Sequence, residues 1–161
     1  MKKLIYSLLI ILVLTNNSFS AGTSSDTSDG SSSYTKAYNL IKAAKKYEKK
    51  GKTEKAQKRY AKAQKLLLKS NKEKPLQADT LNYLGFTTRK LGDYKKGEEY
   101  YLLGLKIEPN HKGINEYLGE LYVVTNRIDL ANKRLDVLKN CNCEEYNDLK
   151  EIIEGTKKSK Y

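Results

Sequence analysis

The chain has 161 residues, with 31 Lys or Arg against 19 Asp or Glu, a formal net charge of +12, two Pro, two Cys and no Trp. That length holds one small domain beside any terminal segments, and the scarcity of Pro with Leu, Ala, Lys and Glu abundant argues against a strand-rich fold. A single His with two Cys falls short of the four ligands of a structural zinc site, so the composition implies no metal and no other cofactor.

In chain order, Met1, Lys2 and Lys3 precede an apolar run from Leu4 to Leu14 and then the small residues Ser18, Ser20 and Ala21. This is the pattern of a secretory signal peptide over residues 1–20, since the apolar run is about half the ~20 residues that a bilayer-spanning helix needs. The expectation is a periplasmic or secreted protein with no transmembrane segment once the signal is cleaved. Residues 21–33 are dominated by Ser, Thr, Gly and Asp, which bury too little apolar surface to offset chain entropy, and are expected to form a flexible linker. A helical domain is expected over 34–161.

Within it the chain repeats. From Ala78 it shows Leu81, Leu84, Gly85, Gly92, Asp93, Tyr101 and Pro109, and about 34 residues later Leu118, Gly119, Tyr122, Asn126, Ala131, Leu135 and Leu138. A looser copy begins near Ala37 with Leu40, Ala44, Tyr47, Gly51, Ala56, Tyr60 and Ala63, and its second helix is expected to run past Leu68 toward Ser70. The expected repeats span 37–74, 78–111 and 112–143. Gly92 suits the left-handed turn that ends a first helix, Asp93 the N-cap of a second, and Asn126 the same turn in the last copy. Pro75 is expected to open the helix that follows the first copy. Gly97 and Gly104, where Ala is usual, predict a weakened helix there, at roughly 1 kcal/mol each. After Cys143, residues 144–155 place Leu149, Ile152 and Ile153 on one face, the pattern of a capping helix that covers the end of an array.

These residues resemble the tetratricopeptide repeat. The resemblance implies an all-α solenoid of three helix-turn-helix repeats plus the capping helix, seven helices in all. It also implies a non-enzymatic adaptor whose first helices line a concave groove that holds a peptide or a partner's helix. Carried onto this chain, the groove positions that matter most are Lys45 and Lys49 in the first repeat, Asn82, Phe86 and Arg89 in the second, and Glu116 and Glu120 in the third. Phe86 is expected either to stand exposed as a peptide anchor or to be covered by the long helices of the first repeat, with the groove passing from basic to acidic along its length. The set of Lys and Asn residues with which some members grip a C-terminal carboxylate is not matched, because Ile41, Gly113 and Tyr117 stand at three of its places.

The charge is unevenly spread. Between Lys36 and Lys74 there are 15 Lys or Arg against three acids, a net of +12, while from Pro75 onward 14 basic residues meet 14 acidic ones. Lys42, Lys46, Lys55, Lys58, Arg59 and Lys62 fall at helical spacing opposite the apolar stripe of the first repeat. A basic face of this kind suits an acidic protein, or a peripheral contact with an anionic membrane or cell wall, and stands as the alternative to groove binding. Nucleic acid is not expected, because an exported chain does not meet it and no aromatic and basic base-reading motif is present. Cys141 and Cys143 are close enough for a disulfide in an oxidising compartment, as a local staple or, less simply, a thiol-exchange pair. No nucleophile and base, carboxylate dyad or phosphate loop has the spacing that catalysis needs.

Overall fold

In a computed structural model that describes residues 32–159, the chain folds as three helix pairs, α1 (Ser33–Lys49) with α2 (Thr53–Glu73), α3 (Ala78–Lys90) with α4 (Tyr94–Ile107), and α5 (Lys112–Val124) with α6 (Ile128–Leu138), followed by α7 (Glu144–Ile153). The signal peptide expected over 1–20 and most of the linker expected over 21–33 lie outside the described residues. The linker's last two positions are structured instead: Ser33 is already helical, and the Ser32 hydroxyl accepts the Thr35 amide at 3.1 Å, capping α1.

Local chemistry sets the turns. Gly51, Gly92 and Asn126 each take positive φ, at 67°, 98° and 57°, in the connection inside their pair, which is the left-handed step that reverses the chain after a first helix. Asp93 caps α4 by accepting the Lys96 amide at 2.9 Å. His111 caps α5: its Nδ1 accepts the Ile114 amide at 3.1 Å, which leaves the proton on Nε2, 3.1 Å from Asp79 Oδ1 on α3. Pro75 does not open α3 as expected. It sits three residues ahead, in a connection that passes through Leu76 at φ 57° before the helix begins at Ala78. α2 runs on to Glu73, three residues beyond Ser70.

Successive first helices touch, α1 with α3, α3 with α5 and α5 with α7, whereas among the described helices the backbones of α2, α4 and α6 do not come within 8 Å of one another. The result is an all-α, tetratricopeptide-like solenoid with α1, α3, α5 and α7 as its inner layer. Ala37, Ile41, Tyr60, Leu67, Leu81, Leu84, Tyr101, Ile114, Leu118 and Leu121 form one continuous core between the layers.

The glycines of the second and third pairs have a packing role that propensity alone does not reveal. A Cβ at Gly85 would stand 2.5 Å from the Tyr101 ring, and one at Gly119 would stand 2.5 Å from Leu149 Cδ2. Gly97 lies against the Gly85 carbonyl, and Gly104 gives its space to Ile114 Cδ1. The missing side chains of α4 let it approach α3 and α5 closely, and the packing gained works against the helical cost of the two glycines.

Candidate functional site

The inner layer brings charge and aromatic rings together. Arg89, in the last turn of α3, places Nη2 3.4 Å from Glu120 Oε2 on α5, with both side chains fully buried. Its Nε donates to the Tyr101 hydroxyl at 3.0 Å, and its guanidinium lies 5.0 Å from the Phe86 ring and 5.3 Å from the Tyr117 ring. From α1, Lys45 Nζ donates to the Tyr117 hydroxyl at 3.0 Å and sits 4.6 Å from the centre of the Phe86 ring. Burial, above all, pushes the Tyr101 and Tyr117 phenols well above their ordinary range, so both hydroxyls stay protonated. Glu48 fastens the same region: it accepts the Tyr60 hydroxyl at 2.7 Å and pairs with Lys90 at 2.7 Å, joining α1, α2 and α3.

Of the groove residues the sequence singles out, the structure gathers Phe86, Arg89 and Glu120 into one cluster with Lys45 above it. It also corrects how they are presented. Asn82, Phe86, Arg89, Glu116 and Glu120 are all buried, Phe86 at 1% exposure. Phe86 is no free-standing anchor, because Tyr60 meets its ring edge-on at 5.7 Å and Tyr117 packs on it at 5.0 Å. Arg89 and Glu120 pair at the centre of the layer, between Lys45 and Lys49 of α1 on one side and Glu144 and Asp148 of α7 on the other. Lys45 is half-buried and Lys49 exposed.

A groove does exist, displaced toward the gap between the first and last inner helices. It has a volume of about 540 Å³, with Phe86 at its floor, Lys45, Glu48 and Lys49 of α1 on one wall and Glu144 and Asp148 of α7 on the other. The segment after α7 reaches it too, with the Ser159 hydroxyl 3.4 Å from Glu120 Oε2. Sequence reasoning missed the α7 wall and this segment, since neither belongs to a repeat position. A second depression of about 380 Å³ lies along α3 and α5, where Asn82, Tyr83, Glu116 and Tyr117 meet Asp79 and Glu145. Asn82 Oδ1 is buried there without a hydrogen-bond partner.

The basic face of the first pair divides. Lys55, Lys58, Arg59 and Lys62 of α2 line a shallow depression of about 360 Å³ with Tyr47, whose ring lies 5.7 Å from the Arg59 guanidinium. Lys42 and Lys46 are exposed on α1 and do not line it. Lys58 is partly neutralised by Glu54 at 2.6 Å.

Cys141 and Cys143 form a disulfide across Asn142, with their Cα atoms 5.2 Å apart, in the turn before α7. Among the described residues no helix is long and apolar enough to cross a membrane.

No family model matches the chain. Over 73 residues it is 40% identical to the Sol locus transcriptional repressor of Clostridium acetobutylicum, a match that covers 43% of this chain and 23% of that protein, so the chain spans less than a quarter of the curated relative. Solved structures of similar shape include the first tetratricopeptide domain of Spaghetti (RPAP3) bound to the HSP90 peptide SRMEEVD, 20% identical with a TM-score of 0.48, covering 76% of this chain and 94% of that one. Another is the CopN–Scc3 complex, 19% identical with a TM-score of 0.49, covering 86% of this chain and 83% of that one.

Proposed function

We propose that the protein is a non-enzymatic interaction module, exported to the cell envelope, that holds an extended segment of a partner protein between α1 and α7. The observation that carries this reading is the groove itself: a cleft of about 540 Å³ between α1 and α7 with polar and charged side chains on both walls. A cleft of this size encloses part of an extended peptide, and the charges on its walls set the orientation of what it holds. Export rests on the pattern of residues 1–20 and is tested by the mass of the protein recovered from the envelope, which loses that segment if the reading holds.

Phe86 is too deeply packed to serve as a probe, so the test uses the wall. Mature protein and its Lys49→Glu variant are used to capture envelope proteins at low and high salt. A discrete protein held at high salt by the parent and lost with Lys49→Glu supports the groove.

The second reading, anion binding through the first pair, is favoured by the depression that gathers Lys55, Lys58, Arg59 and Lys62. An exposed contact of this kind weakens steeply with salt because a charge field is screened within about 8 Å at physiological ionic strength. Material that all washes off with salt and is lost on replacing those four residues supports this reading instead.

A further inference from the structure

The segment that follows α7 does not leave the domain. Gly155 takes φ 74°, and the Thr156 and Lys157 amides both return to the Glu151 carbonyl, at 2.9 and 3.1 Å, which folds the chain back over the end of α7. Lys157 Nζ then pairs with Asp148 Oδ1 and reaches Glu151 Oε2 at 3.6 Å, and two residues on the Ser159 hydroxyl meets the buried Glu120. Lys157, Lys158 and Ser159 thus lie along the groove whose walls, this segment aside, carry Glu48, Glu144 and Asp148 against Lys45 and Lys49.

We propose that the groove between α1 and α7 is a receptor for a short extended peptide with a lysine and, two residues later, a hydroxyl side chain, and that Lys157–Ser159 is its resident occupant, which an external peptide of that kind must displace. This rests on the groove reading above and gives the ligand its chemistry. Asp148 takes the lysine, which stays partly solvated as an ammonium prefers, and Glu120 takes the hydroxyl. Glu120 is already paired with Arg89, so it favours a neutral hydrogen-bonding group over a second full charge. Displacement is physically reasonable because the resident segment leaves the neighbouring depression unfilled. There Asn82 Oδ1 is buried without a partner, beside Tyr117, whose hydroxyl holds the Lys45 ammonium of the groove wall. A longer external peptide could present an N–H to Asn82 that the resident segment does not supply, and satisfying such a buried acceptor adds affinity.

The test uses a fluorescein-labelled peptide of residues 155–161 and three proteins: the mature chain, the chain ended at Gly155, and the full chain with Lys157→Glu. A tethered segment acts at an effective concentration of order 1 mM, so a free peptide with a Kd near 100 µM should bind the full chain about tenfold more weakly than the shortened one. Lys157→Glu, which sets like charges beside Asp148 and Glu151, should open the groove as the truncation does while keeping the chain's length, and the same change within the labelled peptide should abolish its binding. Equal affinity for the full and shortened chains, or no binding to any of the three proteins, overturns the proposal. An envelope partner captured equally by all three would leave the groove reading standing and still overturn this one.

Discussion

The outer face of α1–α2 and the inner face of α3–α5 use charge in opposite ways. On the outer face the basic residues are many and mostly exposed, and each costs little to keep because water solvates it. On the inner face one Arg and one Glu are completely buried, hold each other at 3.4 Å and are wrapped by Phe86, Tyr101 and Tyr117. Net charge counted along the chain points to the first region, whereas the structural demands lie in the second. A solenoid whose inner helices converge can place a charge at its centre only if another helix supplies the partner, so Arg89 and Glu120 work as a fastening between the second and third repeats.

The largest effect should follow from breaking that pair. Glu120→Ala leaves the Arg89 guanidinium buried without its carboxylate and should cost about 3–5 kcal/mol in chemical denaturation, while Arg89→Met with Glu120→Leu should be close to neutral. If Glu120→Ala unfolds at the parent's denaturant midpoint, the inner cluster is not the fastening described. Next comes Gly85→Ala, whose new methyl meets the Tyr101 ring at 2.5 Å and should cost about 1–3 kcal/mol in the same assay.

Alkaline titration separates the faces without mutation. Tyr34 is pushed up to about 12 from its ordinary 10, by burial first and Asp79 second, and Tyr83, Tyr101 and Tyr117 are raised as well. Above pH 10 the unfolded chain loses these protons while the folded one keeps them, so the stability present below pH 10 should fall as pH climbs toward 12 and beyond. Tyrosinate absorbance that reaches its full amplitude, Tyr83, Tyr101 and Tyr117 included, near pH 10 with the fold intact would show the inner phenols to be solvated. The smallest stability change belongs to the outer face. Replacing Lys55, Lys58, Arg59 and Lys62 with Ala should alter stability by no more than about 0.5 kcal/mol per residue, and vesicles of anionic lipid report whether the face has a binding role.

How much of this the sequence carries depends on what holds each part. The turns were legible because Gly51, Gly92 and Asn126 are residue types that accept positive φ and stand at the corresponding place in each repeat. The buried core was legible at Leu84, Tyr101 and Leu118 for the same reason. Repeat positions also picked out Phe86, Arg89 and Glu120, but not that they would be buried together, because that follows from how far successive helices turn toward one another. The groove wall on α7 and the return of Lys157–Ser159 left no trace, since a Lys- and Ser-rich stretch reads as solvated until Gly155 is seen to fold it back.

The most direct test of the account is site-specific photocrosslinking in the intact cell, with a benzoylphenylalanine placed at position 49 on the groove wall in one strain and at position 58 on the basic face in another. A discrete protein adduct from position 49 and none from position 58 is the predicted result. A discrete adduct from position 58, with position 49 silent, would contradict the groove and move the function to the outer face of the first repeat.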